Sequence, residues 1–131
     1  MNTNYTNKLI HGHLSYLLTG ICFSIHNTLG RFSREKQYSD AVESALKQSK
    51  IPYKREYKIE NSGNIVDFLI DDKIILEIKS KRLILKEDFY QAQRYLQISN
   101  KDLALLVNFR NRYLKPIRVI RIETDVRKKY I

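Results

Sequence analysis

Two apolar runs separated by only three polar residues constrain the fold of this chain more than any other feature. The runs Ile65–Ile70 and Ile74–Lys79 have the length of strands, and residues 71–73 between them have the composition of a tight turn. The second run is apolar on both faces up to Glu77, which is typical of a central strand in a sheet that helices cover. The sequence therefore predicts an antiparallel hairpin at the centre of a covered sheet.

The rest of the chain alternates between helical and strand periodicity. Helices are predicted over about Lys8–Thr28, Ser33–Ser49 and Lys86–Ile98, and further strands over Tyr53–Ile59, Leu103–Phe109 and Ile117–Ile122. A meander of three strands followed by a helical crossover indicates a mixed sheet with helices on both faces. We therefore expect one α/β (α+β) domain over residues 1–131, with about five strands, an extra N-terminal helix and a basic tail at 123–131.

Charge and cysteine content limit the partners and the compartment. With 24 Lys and Arg against 14 Asp and Glu, the net charge is +10, which favours nucleic acid as the partner over a merely soluble basic protein. An anionic membrane surface is the weaker third option. The single cysteine, Cys22, cannot form an internal disulfide, and the apolar run Leu14–Ile25 is shorter than the roughly 20 residues of a membrane span. We expect a cytoplasmic protein without a membrane anchor.

Three charged residues interrupt the apolar hairpin. Because side chains alternate along a strand, a three-residue turn places Asp67 directly opposite Glu77 on one face, with Lys79 diagonal to it. A two-residue turn would put the two carboxylates on opposite faces. We predict the odd-length turn. A buried Asp67–Lys79 ion pair without a catalytic role is the alternative reading of these charges.

Two carboxylates this close on a covered face repel each other, and a divalent cation relieves that repulsion. Mg²⁺ or Mn²⁺ suits the site, since such ions take hard oxygen ligands and accept water and phosphate oxygens in the remaining positions. We expect Asp67 and Glu77 to bind the metal, with the backbone carbonyl of Ile78 as a third protein ligand. Lys79 would stabilise negative charge as activated water attacks a phosphodiester. The sequence therefore predicts a metal-dependent nuclease.

The charged hairpin resembles a known signature, because Asp67, nine intervening residues and Glu77-Ile78-Lys79 look like the motif of the PD-(D/E)XK nuclease superfamily. Four more segments resemble the GxxExxY family of that superfamily: residues 25–30, residues 35–38 with Ala41, residues 91–96 and residues 105–109. The resemblance covers roughly residues 15–122. It implies a PD-(D/E)XK-like core, metal binding by the two carboxylates, and catalytic roles for Lys79, Glu35 and Gln91. Phe32 stands where the family has its first glycine.

Helical spacing places two of these implied residues near the sheet. Glu35 lies on the stripe of Tyr38, so we expect its carboxylate on the core side, although a glutamate that complements the helix dipole is the alternative. Gln91 shares a face with Tyr95 and should approach the sheet.

Basic residues follow the hairpin and dominate residues 110–131. Those expected to contact nucleic acid, with DNA favoured over RNA, are Lys81, Arg82, Arg94, Arg110, Arg112 and Lys115. A homodimer would help so small a domain to hold a duplex. Two other functions stay open: a non-catalytic nucleic-acid-binding module that keeps the nuclease fold, and a protein whose basic face meets an acidic partner.

Overall fold

The computed structural model describes residues 10–123. Three helices and five strands follow one another in the order α1 Gly12–Leu29, α2 Glu35–Gln48, β1 Tyr53–Lys58, β2 Ile65–Ile70, β3 Ile74–Lys79, α3 Lys86–Ser99, β4 Leu103–Asn108 and β5 Ile117–Ile120. The predicted order of elements is confirmed. The predicted basic tail and the predicted first residues of the N-terminal helix lie outside the described residues.

The start of the first helix has a clear backbone reason. The predicted start near Lys8 lies outside the described residues, but the helix does not include Ile10 and His11: α1 begins at Gly12, because His11 before it has φ 48. That conformation is left-handed, and a right-handed helix does not continue through it. The apolar stripe predicts the helix well, but the stripe alone does not reveal where the backbone turns.

The five strands form one mixed sheet in the order β1-β2-β3-β4-β5. The pairs β1–β2, β2–β3 and β4–β5 are antiparallel, whereas β3 and β4 are parallel and are joined by the α3 crossover. A parallel pair needs such a crossover because the chain must return to the end of the sheet at which the first strand began before the next strand can start. The predicted α/β (α+β) class with a mixed central sheet is confirmed.

Apolar side chains form a separate core on each face of the sheet. On one face, Leu18, Val42 and Leu46 of α1 and α2 pack against residues such as Leu76. On the other face, the α3 side chains pack against the sheet residues Leu69, Ile75, Ala104 and Leu106. Helices therefore cover both faces, as predicted. Among residues 10–123, no helix is both long and apolar enough to cross a bilayer.

The turn between β2 and β3 has the predicted odd length. Ile70 pairs with Ile74, and the N–H of Lys73 donates to the carbonyl of Ile70 at 2.9 Å. Asp71 and Asp72 have φ values of 50 and 56, and aspartate is one of the few residues that adopt this region readily. Residues 71–73 thus close the hairpin, and the register places Asp67 opposite Glu77.

Tyr38 connects α2 to the segment that precedes it. The ring is fully buried and stacks on Phe109 with 4.2 Å between the ring centroids. Its hydroxyl donates to the carbonyl of Gly30 at 2.6 Å and accepts the N–H of Ser33 at 3.1 Å. One phenol therefore fixes both ends of the segment that joins α1 to α2.

A Tyr38→Phe variant tests this contribution of the hydroxyl. The ring keeps its stack on Phe109, but the Gly30 carbonyl and the Ser33 N–H both lose a partner, so the free energy of unfolding should fall by about 1–2 kcal/mol. Urea denaturation measures this loss. Tyr90→Phe is the matched control because Tyr90 is exposed on α3, so this variant should keep the stability of wild type. Equal stability of the two variants would contradict the prediction.

Candidate active site

The β-ladders on both sides of β2 are interrupted at Asp67. The β1–β2 pairs run from Tyr53↔Ile70 to Lys58↔Ile65 but omit Glu56 and Asp67, which the register places opposite each other. The β2–β3 ladder ends at Phe68↔Leu76, one residue before Asp67 and Glu77. The sheet therefore opens at Asp67, and groups that would otherwise be occupied by ladder hydrogen bonds become available to side chains.

The side chains of Asp67 and Glu77 replace the missing ladder bonds. The Asp67 N–H donates to Glu77 Oε2 at 2.9 Å, and the Ile78 N–H donates to Asp67 Oδ2 at 2.7 Å. Each carboxylate thus holds the opposite strand through one oxygen. This reciprocal arrangement brings the two acids together on the α3 face, as the three-residue turn predicts.

Glu77 carries most of the electrostatic cost of this arrangement. It is only 4% exposed, and burial together with the negative charge of Asp67 raises the pKa of Glu77 from 4.5 to about 8. The N–H of Asp67 and the charge of Lys79 lower the pKa by less. A buried carboxylate with such a neighbour favours either a proton or a cation.

Lys79 lies at the end of β3, on the same face as Glu77. Its Nζ donates to Gln91 Oε1 of α3 at 3.3 Å, and its ion pair is with Asp88 at 3.9 Å. The alternative of a simple Asp67–Lys79 ion pair is therefore not what the structure shows. Gln91 approaches the sheet as predicted and orients the ammonium group.

Sequence reasoning missed Asp88, which organises the basic side of the site. Its carboxylate accepts the Leu85 N–H at 2.7 Å and binds the ammonium of Lys81 at 2.9 Å. Although burial raises the pKa of Asp88, the bonds from Leu85 and Lys81 hold it below its ordinary value. The only sequence signal was an acid in the first turn of a helix, which is a common capping pattern.

Glu35 reaches the site from the first residue of α2. Its Oε2 accepts the N–H of Ser80 at 3.0 Å, directly after Lys79. The expectation that Glu35 points to the core is wrong, because the residue is exposed. At the first position of the helix, the side chain lies beyond the part of α2 that packs on the sheet. Its contact with β3 nevertheless places it at the rim of the site.

A surface cleft of about 300 Å³ joins Glu35 to Asp67. It is open to solvent where the β1–β2 ladder is interrupted, and its lining includes two residues that sequence reasoning did not single out, Glu56 and Arg55. Arg55 also binds Asp40 at 2.7 Å. Ordinary strand alternation in β1 gave no signal for this cleft, since it depends on the distortion opposite Asp67. The cleft connects Asp67 to solvent.

Comparison with known families agrees with this geometry. A model of the PD-(D/E)XK nuclease superfamily matches residues 12–122, which is most of the chain. The chain belongs to the PD-(D/E)XK nuclease superfamily. No curated protein and no solved structure matched it significantly. Its assignment to the GxxExxY branch of the superfamily stays a prediction.

The carboxylates that define the superfamily motif also suit a divalent cation in this chain. Among residues 10–123 there is no cluster of three or more His, Cys, Asp and Glu side chains arranged to hold a metal. Two carboxylates are nevertheless enough for Mg²⁺, which keeps several water ligands. Burial and the negative charge of Asp67 raise the pKa of Glu77, and a cation held by the two carboxylates would offset both by stabilising the charged form. The donor set therefore fits Mg²⁺ or Mn²⁺.

The basic residues around the PD-(D/E)XK site fall into two groups. Arg118 donates to Ser15 and Ile10, and Arg121 pairs with Asp102, so these two arginines hold the fold. Of the residues predicted to contact nucleic acid, Lys81 is bound to Asp88, Arg110 is half-buried, and four are exposed, namely Arg82, Arg94, Arg112 and Lys115. Most of the basic tail predicted at residues 123–131 lies outside the described part of the chain.

Proposed function

We propose that this protein hydrolyses phosphodiester bonds in nucleic acid, with DNA as the favoured substrate and a divalent cation, Mg²⁺ or Mn²⁺, as the cofactor. The observation that carries the proposal is the pair of carboxylates, Asp67 and Glu77, each of which accepts a backbone N–H from the opposite strand, beside the ammonium of Lys79. Membership of the nuclease superfamily supports the same chemistry. The net charge of +10 supports a polyanionic substrate.

Each residue of the site has a distinct part in this proposal. Asp67 and Glu77 would hold the cation, with the Ile78 carbonyl as a further ligand, and when bound the cation would neutralise both carboxylates and polarise the phosphate. Lys79 places a positive charge where negative charge develops on the phosphoryl oxygens. Gln91 holds the Lys79 ammonium in place. Glu35 holds the chain after β3 through Ser80.

Metal-dependent cleavage tests the proposal directly. Purified protein should nick or degrade DNA in the presence of Mg²⁺ or Mn²⁺ and should lose that activity in chelator. Asp67→Asn should reduce the cleavage rate at least about 100-fold, because the amide keeps the size of the side chain but removes the charge that holds the cation. Isothermal titration with Mn²⁺ should show binding to wild type and none to the variant.

Asp72→Asn provides the matched control. Asp72 is an exposed carboxylate on the turn of the same hairpin, so its loss should leave both cleavage and Mn²⁺ binding unchanged. Equal cleavage by wild type and Asp67→Asn would contradict the proposed function. Salt-sensitive DNA binding without any metal-dependent cleavage would instead favour a non-catalytic binding module.

A further inference from the structure

An exposed aromatic ring lies close to the site, and two arginine side chains pack against it. Phe32 is 73% exposed in the segment between α1 and α2. The guanidinium carbon of Arg31 lies 4.9 Å from the ring centroid, and that of Arg110 lies 5.4 Å from it. Such cation–π contacts are attractive, but they leave most of the Phe32 ring exposed to solvent.

Arg110 also has a hydrogen-bonding capacity that the described chain does not use. Its Nε is buried and donates no hydrogen bond to residues 10–123. Neither Arg31 nor Arg110 forms an ion pair with a carboxylate in that part of the protein, although Arg31 Nε donates to the Arg110 carbonyl at 2.8 Å. Two positive charges without a carboxylate partner, next to an open ring, are suited to an anionic ligand that has an aromatic part.

A hydrogen bond connects the segment that carries Phe32 to the residue that follows the catalytic strand. Ser33, next to Phe32, accepts the Ser80 hydroxyl at 3.2 Å, and Ser80 follows Lys79 directly. From chain dimensions, Phe32 and Lys79 have Cα atoms within roughly 15 Å of each other. That distance corresponds to a few nucleotides of a single strand. A strand that passes Lys79 can therefore reach the ring of Phe32.

A second exposed aromatic residue and a third arginine follow Arg110 in the chain. Tyr113 is 78% exposed, and the guanidinium carbon of Arg112 lies 5.4 Å from its ring centroid. Both residues follow Arg110 in the segment after β4. Proteins hold unpaired nucleotides without reading their sequence by stacking the bases on exposed aromatic rings and by contacting the phosphates with basic side chains.

We propose that Phe32, Arg31 and Arg110 form a subsite that stacks an unpaired nucleobase next to the phosphate at Lys79, so that the substrate is DNA with a single-stranded segment at the cleavage position. Phe32 provides the stacking face, and the two arginines bind the flanking phosphates. A base inside an intact duplex cannot stack on the ring without leaving its own stack, which costs a few kcal/mol. This inference rests on the proposed function but makes a separate claim about binding.

The test is metal-free binding of two fluorescein-labelled oligonucleotides, a blunt duplex and the same duplex with a single-stranded overhang, measured by fluorescence anisotropy in chelator. Phe32→Ala should weaken binding of the overhang substrate by about tenfold and change binding of the blunt duplex by less than twofold. Phe32→Trp should restore the affinity. A 2-aminopurine in the overhang should be quenched by wild type and not by Phe32→Ala.

Tyr16→Ala is the matched control, since Tyr16 is 74% exposed on α1 and has no arginine stacked on it within the described residues. It should bind both oligonucleotides as wild type does. Equal binding by Phe32→Ala and wild type, or an equal loss on both oligonucleotides, would overturn the subsite. Phe32-dependent binding without any metal-dependent cleavage would support the subsite and contradict hydrolysis, so the two failures are distinguishable.

Discussion

Replacing Lys79 with methionine is expected to reduce the metal-dependent cleavage rate by about 10²–10³-fold. Methionine keeps the aliphatic part of the side chain and removes only the ammonium, which Gln91 at 3.3 Å and Asp88 at 3.9 Å hold in place. A positioned charge at the point where negative charge develops contributes this much to the rate of an acyl or phosphoryl transfer. Single-turnover cleavage of labelled DNA measures the effect.

The same variant should bind DNA almost as tightly as wild type. One ammonium accounts for about one unit of the salt dependence of binding, so the affinity should fall by less than tenfold while the rate falls much further. Lys73→Met is the matched control because it removes an exposed ammonium from the turn of the same hairpin. If Lys79→Met and Lys73→Met cleave at the same rate, the catalytic role of Lys79 is wrong.

Asp88 should affect the reaction through Lys79 rather than directly, which makes it a positioning residue. Its distance of 3.9 Å from Lys79 Nζ is long for a strong ion pair, and its shorter bonds go to Lys81 and the Leu85 N–H. The loss of Lys79 should therefore be the larger of the two effects on the rate. The site is organised around one ammonium that two α3 residues hold from the same side.

The hairpin could be predicted from the sequence because several constraints agreed. The apolar runs fixed two buried strands, alternation fixed which residues share a face, and only the three-residue turn brought Asp67 and Glu77 together. The resemblance to the nuclease family singled out Gln91, and helical spacing gave its direction towards the sheet. These inferences needed only local geometry, in which a residue's position along its element determines its direction.

The features that the sequence did not reveal depend on contacts between distant segments or on distortion. The cleft beside Glu56 lies where the β1–β2 ladder is interrupted at Asp67, and hydrophobic periodicity does not reveal such an interruption. The contact of Phe32 with Arg110 joins residues far apart in the chain. Glu35 was placed on the core side by its helical stripe, but a residue at the very start of a helix is not bound by the packing of the turns that follow.

The metal-free protein should lose stability as the pH rises from about 5 to 8, and Glu77→Gln should remove that loss. Burial and the charge of Asp67 raise the pKa of Glu77 from 4.5 in the unfolded chain to about 8 in the folded one. Below 4.5 both states hold the proton and no penalty exists, whereas above 8 the folded state carries the full cost of a buried negative charge. At about 1.4 kcal/mol for each pKa unit, the full cost is on the order of 5 kcal/mol.

Glutamine at position 77 keeps the hydrogen bond that matters for the fold. Its amide oxygen can accept the Asp67 N–H, and its amide group can donate to the Asp67 carboxylate in place of the repulsion. Urea unfolding in chelator at several pH values should therefore show a variant that matches wild type near pH 5 and exceeds it by pH 9. Glu60→Gln, which removes an exposed carboxylate from the β1–β2 turn, should follow the wild-type profile.

Adding Mg²⁺ or Mn²⁺ should reverse the order of the two proteins. A cation held by Asp67 and Glu77 stabilises the folded state in proportion to the logarithm of its concentration, so wild type should gain stability at pH 8 while Glu77→Gln should gain little. Glu77→Gln would then lose cleavage in the presence of metal and gain stability in its absence, because the charge that destabilises the metal-free fold is the one that binds the cofactor. If the stability of wild type in chelator depends on pH in the same way as that of Glu77→Gln, Glu77 is not the cause of the loss of stability at high pH.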